Sequence, residues 1–161
     1  TQHQKVSGVS QAYLDPETNE KYIPYVIEPS VGVDRMFLTV LCDAYDEEEL
    51  ENNDVREVLH LHPYLAPYKV AVLPLAKKYH SEKAREVWKM LSSNFSCSYD
   101  EAGSIGKRYR RADASGTPWC LTVDNETLEN GTVTIRDRDT MEQVTLKLDE
   151  VVDYINERIK F

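Results

Sequence analysis

The sequence predicts an α/β fold: a mixed five-stranded sheet flanked by helices, preceded by a shorter strand–helix segment. Three observations carry this prediction. Val70-Ala71-Val72-Leu73 is an unbroken apolar run ending at Pro74, the mark of a strand covered on both faces. Ala84, Val87, Leu91 and Phe95 recur at helical spacing, so a helix follows from about Ser81. Val144, Leu146 and Leu148 alternate with Thr145 and Lys147, the two-residue period of a strand with one wet face.

Before this domain, Asp15-Pro16 and Thr18-Asn19 mark a turn, and Tyr25-Val26-Ile27 reads as a short strand. Glu28 and Ser30 lie just past its end. Gly32 follows, and a helix opens with Val33, Phe37, Leu41 and Tyr45 on one face and Arg35 in its first turn. Residues 46–57 hold seven acidic residues and one basic one, which reads as a solvated connector. The chain divides near residue 62. Residues 1–62 bury too little apolar surface to stand alone. Residues 63–161 read as a complete domain. Ser96–Tyr99 is its second strand, and Ile105–Ala114 is a helix carrying Lys107, Arg108, Tyr109, Arg110 and Arg111. Trp119–Val123 is a third strand. Asn130-Gly131 supplies the two positive φ values of a hairpin, and Thr132–Arg136 and Val144–Leu148 complete an antiparallel meander. Asp149 caps a last helix with Val151, Ile155 and Ile159 as its buried stripe.

At 161 residues and 41% hydrophobic, the chain suits one domain plus an appendage. No segment approaches the roughly 18 apolar residues of a membrane helix, and no signal-peptide pattern opens the chain. It begins with Thr1, which reads as a piece of a longer protein. Cys42, Cys97 and Cys120 lie far apart without C-x-x-C spacing, so buried, unpaired thiols in a reducing cytoplasm are expected. A net charge of −9 argues against nucleic acid, but residues 103–114 carry four basic residues and one acidic one. The field that matters to RNA is local, within ~8–10 Å. His60 and His62 alternate with no cysteine or second pair nearby, so structural roles and no metal are expected; His3 and His80 lie in polar surroundings. No Ser-His-Asp set and no glycine-rich phosphate loop is evident.

The run Tyr22–Tyr45, YIPYVIEPSVGVDRMFLTVLCDAY, places a carboxylate, a hydroxyl and a guanidinium within one strand-to-helix corner. Such a corner suits an ammonium group beside a phosphate: carboxylates accept from ammonium, and a helix N-terminus with an arginine favours phosphate. Pairing of Glu28 with Arg35, or with solvent, is the plainer alternative. The run resembles the third conserved motif of class II aminoacyl-tRNA synthetases in its single-polypeptide glycyl form. That resemblance implies that Glu28 and Ser30 face glycine, that Glu28 and Arg35 face ATP, and that the strand and helix are a remnant of an antiparallel catalytic domain.

A second resemblance is to the anticodon-binding domain shared by the glycyl, histidyl, prolyl and threonyl synthetases. It rests on His62-Pro63, Ala66 to Val72, Gly103 to Tyr109, Asp113 with Gly116-Thr117-Pro118, and Arg136 to Gln143. Glycine codons begin with two guanines, so the anticodon ends in two cytosines. A cytosine edge carries an amino donor beside acceptors, and single-stranded loops are where proteins read such edges. Arg136-Asp137-Arg138-Asp139 alternates donors with acceptors. The resemblance implies a base contact at Arg138, with Asp137 and Asp139 as weaker candidates for the amino group. The alternative is a local ion-pair ladder worth ~0–1 kcal/mol when exposed. Lys107, Arg108 and Arg111 suit phosphate contacts or stacking, while Arg110 suits a solvated face. Asn125 stands where an aromatic residue often occurs in the family, so stacking there is not expected.

The favoured function is therefore a C-terminal part of a class II glycine–tRNA ligase. The resemblance implies a homodimeric cytoplasmic parent that uses ATP, Mg²⁺, glycine and tRNA(Gly). The earlier motifs needed for adenylation are not visible, so this chain alone is expected to be inactive and to hold no cofactor tightly. A free-standing RNA-binding accessory module and a metabolite-binding α/β domain are the alternatives. The EPSVGVDR run argues against the first, and the second predicts binding indifferent to anticodon sequence.

Overall fold

A computed structural model describes residues 1–50 and 54–160. Its central sheet follows from the apolar runs. The strands β5 (Val70–Pro74), β6 (Cys97–Tyr99), β7 (Trp119–Val123), β8 (Thr132–Asp137) and β9 (Gln143–Lys147) lie in the order β6-β5-β7-β8-β9. The first three are parallel and the last two add antiparallel, so the sheet is mixed as expected. Two-residue alternation splits the side chains between faces. Val70, Val72, Leu121, Val123, Val133 and Ile135 join Ala84, Val87 and Leu91 of α3 (Lys77–Leu91) and Val151 and Ile155 of α6 (Val151–Ile159) in one core. Ala71, Leu73 and Cys120 meet Ala112 of α4 (Ile105–Ala114) on the other face, with Ile105 and Tyr109 packed against them. Burial pushes the Cys120 thiol up to about 12 and the Cys97 thiol up to about 11. All three cysteines are free, but Cys42 is exposed, contrary to expectation.

Three local readings need correction. The Asn130-Gly131 pair does not close a hairpin. It ends a short helix, α5 (Asn125–Asn130), with Gly131 as the left-handed cap at φ 69°. Asp124 starts that helix by accepting from the Thr127 N–H while the Thr127 hydroxyl accepts from the Asp124 N–H. This reciprocal cap satisfies two orphan donors and wins over the turn. Helix α3 begins at Lys77, four residues earlier than its apolar stripe suggests, because His80 Nδ1 accepts from the Ala76 N–H at 3.0 Å. His80 is buried, and its other nitrogen meets Asn125 Oδ1 at 2.9 Å. The last helix is capped at Glu150 rather than Asp149, without a side-chain cap bond.

The acidic connector is also structured where it is described. β3 (Tyr45–Glu49) and β4 (Val55–Leu59) pair antiparallel, from Tyr45 opposite Leu59 to Glu49 opposite Val55. Residues 51–53 of the acidic run lie outside the described residues. Arg56 on β4 is 1% exposed, so the run's one cation is turned inward.

By compactness the chain divides into Thr1–Arg35 and Met36–Phe161, whereas the sequence places the division near residue 62. In the first unit, α1 (Gln2–Ser7) precedes the two-residue strands β1 (Tyr13–Leu14) and β2 (Lys21–Tyr22), which pair across the expected turn. Asp15 Oδ1 accepts from the Glu17 N–H at 2.8 Å, and Asn19 takes φ 60°. The expected strand at Tyr25–Ile27 does not form: the three residues are irregular and exposed. A strand needs a neighbouring ladder to satisfy its backbone, and none pairs with this segment among the described residues. The helix α2 (Val33–Ala44) forms as expected, yet Val33 and Phe37 of its stripe are exposed. No described helix is long and apolar enough to cross a membrane.

Candidate nucleic-acid interface

The site is built on a buried charge network. Asp113 on α4 is 0% exposed. Its Oδ1 accepts from Arg136 Nη1 at 2.9 Å, and its Oδ2 accepts from Arg136 Nη2 at 3.2 Å and from Arg56 Nε at 2.9 Å. The Arg136 guanidinium also lies 5.0 Å over the Tyr109 ring, a favourable place for a cation on a π face. Arg56 donates to Glu48 Oε2 at 2.6 Å and to the Arg138 carbonyl. The β3–β4 hairpin is thereby tied to α4 and to the turn after β8.

That turn carries the rest of the RDRD run. Asp137 Oδ1 accepts from the backbone N–H groups of Asp139 at 2.9 Å and Thr140 at 3.0 Å, an aspartate-anchored turn that Met141 leaves at φ 59°. Arg138 does not point outward, contrary to expectation: it is 2% exposed. Its Nη1 donates to the Gly116 carbonyl at 2.9 Å, and its Nε and Nη2 clamp Asp139 at 2.7 and 2.8 Å. Three of its five N–H donors are taken within the chain, and its burial keeps the rest from a base. Arg136 is likewise turned in. Asp139 is the member of the run most open to solvent, with a side chain 49% exposed. Burial pushes its carboxyl up, but hydrogen bonds from Arg138 and His60 outweigh this and hold it below the usual aspartate range. A carboxylate offers about four lone-pair sites. Arg138 and His60 fill both on Oδ1, and Arg138 fills one on Oδ2, so one acceptor site on Oδ2 remains.

His60, just past β4, sets Nδ1 2.6 Å from Asp139 Oδ1 and Nε2 3.2 Å from Glu48 Oε1. Asp46 Oδ2 lies 3.9 Å from the same Nε2. The three residues Asp46, Glu48 and His60 bring potential ligand atoms within 4.8 Å of one another. Glu48 is already shared with the Arg56 guanidinium, which opposes a cation there, so the group reads as an ion-pair cluster.

The basic helix is more engaged than its sequence suggests. Arg108 is buried, donating to the Pro74 carbonyl and, at 2.7 Å, to the Gly103 carbonyl, so it does not offer itself to phosphate. Arg111 is held by Asp100 and by the Ala102 carbonyl. Arg110 bridges to Asp54 and the Val55 carbonyl on the hairpin. Lys107 is exposed and lines an open groove of about 590 Å³ with Ser104, Gly106, Arg110 and Glu57. Glu28 and Ser30 lie exposed on an irregular stretch, and Arg35 is the third residue of α2.

Sequence reasoning missed Arg56, Asp113 and the role of His60. A signal was present: Arg56 is the one base in the acidic run and Asp113 the one acid in the basic run, and they bind each other. It also missed Lys77, Lys78, Arg85 and Lys89, exposed cations along α3. Two of them converge on Glu101, with Lys77 at 2.9 Å and Arg85 at 3.5 Å. The Tyr99 hydroxyl, first, and then Lys77 hold the Glu101 carboxyl down at about 2. Its folded value lies below its ordinary 4.5, so its stabilising contribution is present above that value and lost as pH falls toward about 2. Glu101→Gln is expected to flatten the loss of stability over that acid interval, read from denaturation midpoints against pH.

Residues 69–158 match the family model described as anticodon binding domain. Over its whole length the chain is 62% identical to the glycine–tRNA ligase of Clostridium kluyveri, spanning 35% of that protein. It is 60% identical over 160 residues to that of Clostridium tetani, spanning 34%. The chain thus spans about a third of the length of these curated relatives. The solved RNA binding domain of threonyl-tRNA synthetase from Cryptosporidium parvum superposes with a TM-score of 0.57 at 27% identity, over 62% of this chain and 25% of that one. With more than half of its residues matched by the model and with the mixed sheet in place, this chain belongs to the anticodon binding domain family.

Proposed function

We propose that the chain is part of a glycine–tRNA ligase and that its sheet domain reads the tRNA(Gly) anticodon. The observation that carries this reading is the 62% identity to a glycine–tRNA ligase across all 161 residues, which takes in the EPSVGVDR corner as well as the anticodon domain. We place the boundary between the two roles near residue 62. In the parent enzyme Glu28 and Ser30 face glycine, Glu28 and Arg35 face ATP held with Mg²⁺, and the parent is a cytoplasmic homodimer. Within the sheet domain the acceptor for a cytosine amino group is Asp139, with Arg138 orienting it from beneath and Asp137 shaping the turn. Lys107 is an exposed cation of its cluster placed for a phosphate, and Arg111 reaches one only by leaving Asp100.

The test is a fluorescence-anisotropy titration of the chain with tRNA(Gly) and with a transcript whose two anticodon cytosines are replaced, at two salt concentrations. Tighter binding to the cytosine form is expected at both. Asp139→Ala is expected to cost about 1–3 kcal/mol against the cytosine form and little against the replaced one. Equal binding to both transcripts would refute the anticodon role. The chain alone is expected to give no ATP–pyrophosphate exchange with glycine above background.

A further inference from the structure

Both ring nitrogens of His60 face carboxylates: Nδ1 faces Asp139 of the turn, and Nε2 faces Glu48 and Asp46 of β3. In the tautomer with the proton on Nδ1, the ring donates to Asp139 Oδ1 at 2.6 Å. The connected network holds four carboxylates (Asp46, Glu48, Asp113, Asp139) and three guanidiniums (Arg56, Arg136, Arg138). His60 is where its hairpin branch meets the turn.

We propose that His60 is a positioning residue for base reading: its ring Nδ1 pins Asp139 Oδ1, so that Oδ2 is held open for the amino group of an unpaired cytosine. The proposal rests on the anticodon reading above. It makes a residue outside the matched stretch 69–158 part of the reading apparatus. Asp139 has two lateral supports, Arg138 from within its own turn and His60 from the hairpin. The two supports hold the carboxylate from opposite sides. Without the hairpin-side contact, Asp139 swings on the Arg138 fork. Discrimination between cytosine and uracil then falls, because uracil presents an acceptor where cytosine presents the amino donor.

The test uses the whole chain and fluorescein-labelled anticodon-arm RNA hairpins carrying either the two cytosines or a uracil in place of one. Dissociation constants are measured at fixed salt and fixed pH. His60→Ala is expected to lower the uracil-to-cytosine ratio about tenfold. His60→Asn keeps a neutral donor near the Nδ1 position, so its ratio is expected to be intermediate. Should His60→Ala fold poorly, the fall from the wild type to His60→Asn carries the test. A wild-type ratio in both variants, or in His60→Asn where His60→Ala does not fold, overturns the positioning role and leaves the anticodon reading standing. A wild type that never discriminates overturns the anticodon reading, and this proposal with it.

Discussion

Asp113→Ala is expected to destabilise the folded chain by about 3–5 kcal/mol, the largest loss from any single charge replacement here. Asp113 is fully buried and is the one carboxylate that both Arg136 and Arg56 share. Removing it leaves Arg136 buried without its carboxylate and takes one of the two that hold Arg56, and the cost comes from the cation left behind more than from the bonds lost. The check is a denaturant titration followed by tryptophan fluorescence in a Trp88→Phe background, so that it reports Trp119, buried at the start of β7 opposite Asp137. Arg56→Met alone is expected to hurt less, because Arg136 still neutralises Asp113. The double replacement Asp113→Ala with Arg56→Met is expected to cost clearly less than the two separate losses combined, as groups in one network do not add. Strict additivity would show that the contact contributes nothing.

Gly116→Ala is expected to be the next most damaging change. Gly116 takes φ +73°, where an L side chain costs about 1–3 kcal/mol from backbone strain alone. A Cβ there would also stand 2.7 Å from Leu61 Cδ1 and 3.2 Å from both the Leu59 Cβ and its carbonyl oxygen. The Leu61 methyl can swing away, but the Leu59 backbone cannot without moving the end of β4. Since Gly116 also accepts from Arg138, the substitution is expected to loosen the hairpin and the RDRD turn together. Hydrogen exchange should show Val55–Leu59 and Arg138 losing protection before the β5 and β7 amides do.

The sheet was legible because its signals are local. Val70 to Leu73 and Trp119 to Val123 are apolar runs that form strands almost wherever they are covered, and both are buried throughout. The end of α5 was misread because Asn-Gly serves two geometries that share a positive φ, and the deciding residues, Asp124 and Thr127, act through a cap that hydrophobic spacing does not report. The strand at Tyr25–Ile27 was overread because β-propensity expresses packing against neighbours, which this segment lacks. At the candidate site, the sequence names a run of four residues but points its arginines outward, where the structure buries them. Alternation of sign says which groups are present, whereas their facing is set by Asp113, 23 residues away from Arg136, and by Arg56, 57 residues away from Asp113. Contacts at such separations leave no periodicity. They leave a mismatch of charge, a lone base among acids and a lone acid among bases, which becomes informative once the two are paired.

The hairpin's grip on α4 sets where the molecule tolerates being cut. A truncation starting at residue 63 would follow the outline of the matched stretch and keep every strand of the sheet, yet it would amputate Arg56, His60 and Leu61. Asp113 would keep one cation of two, the left-handed corner at Gly116 would lie bare, and Asp139 would hang from Arg138 alone. An engineer seeking a minimal stable form of this domain would therefore begin at or before Tyr45 and keep the 18 residues from there to residue 62 as part of it.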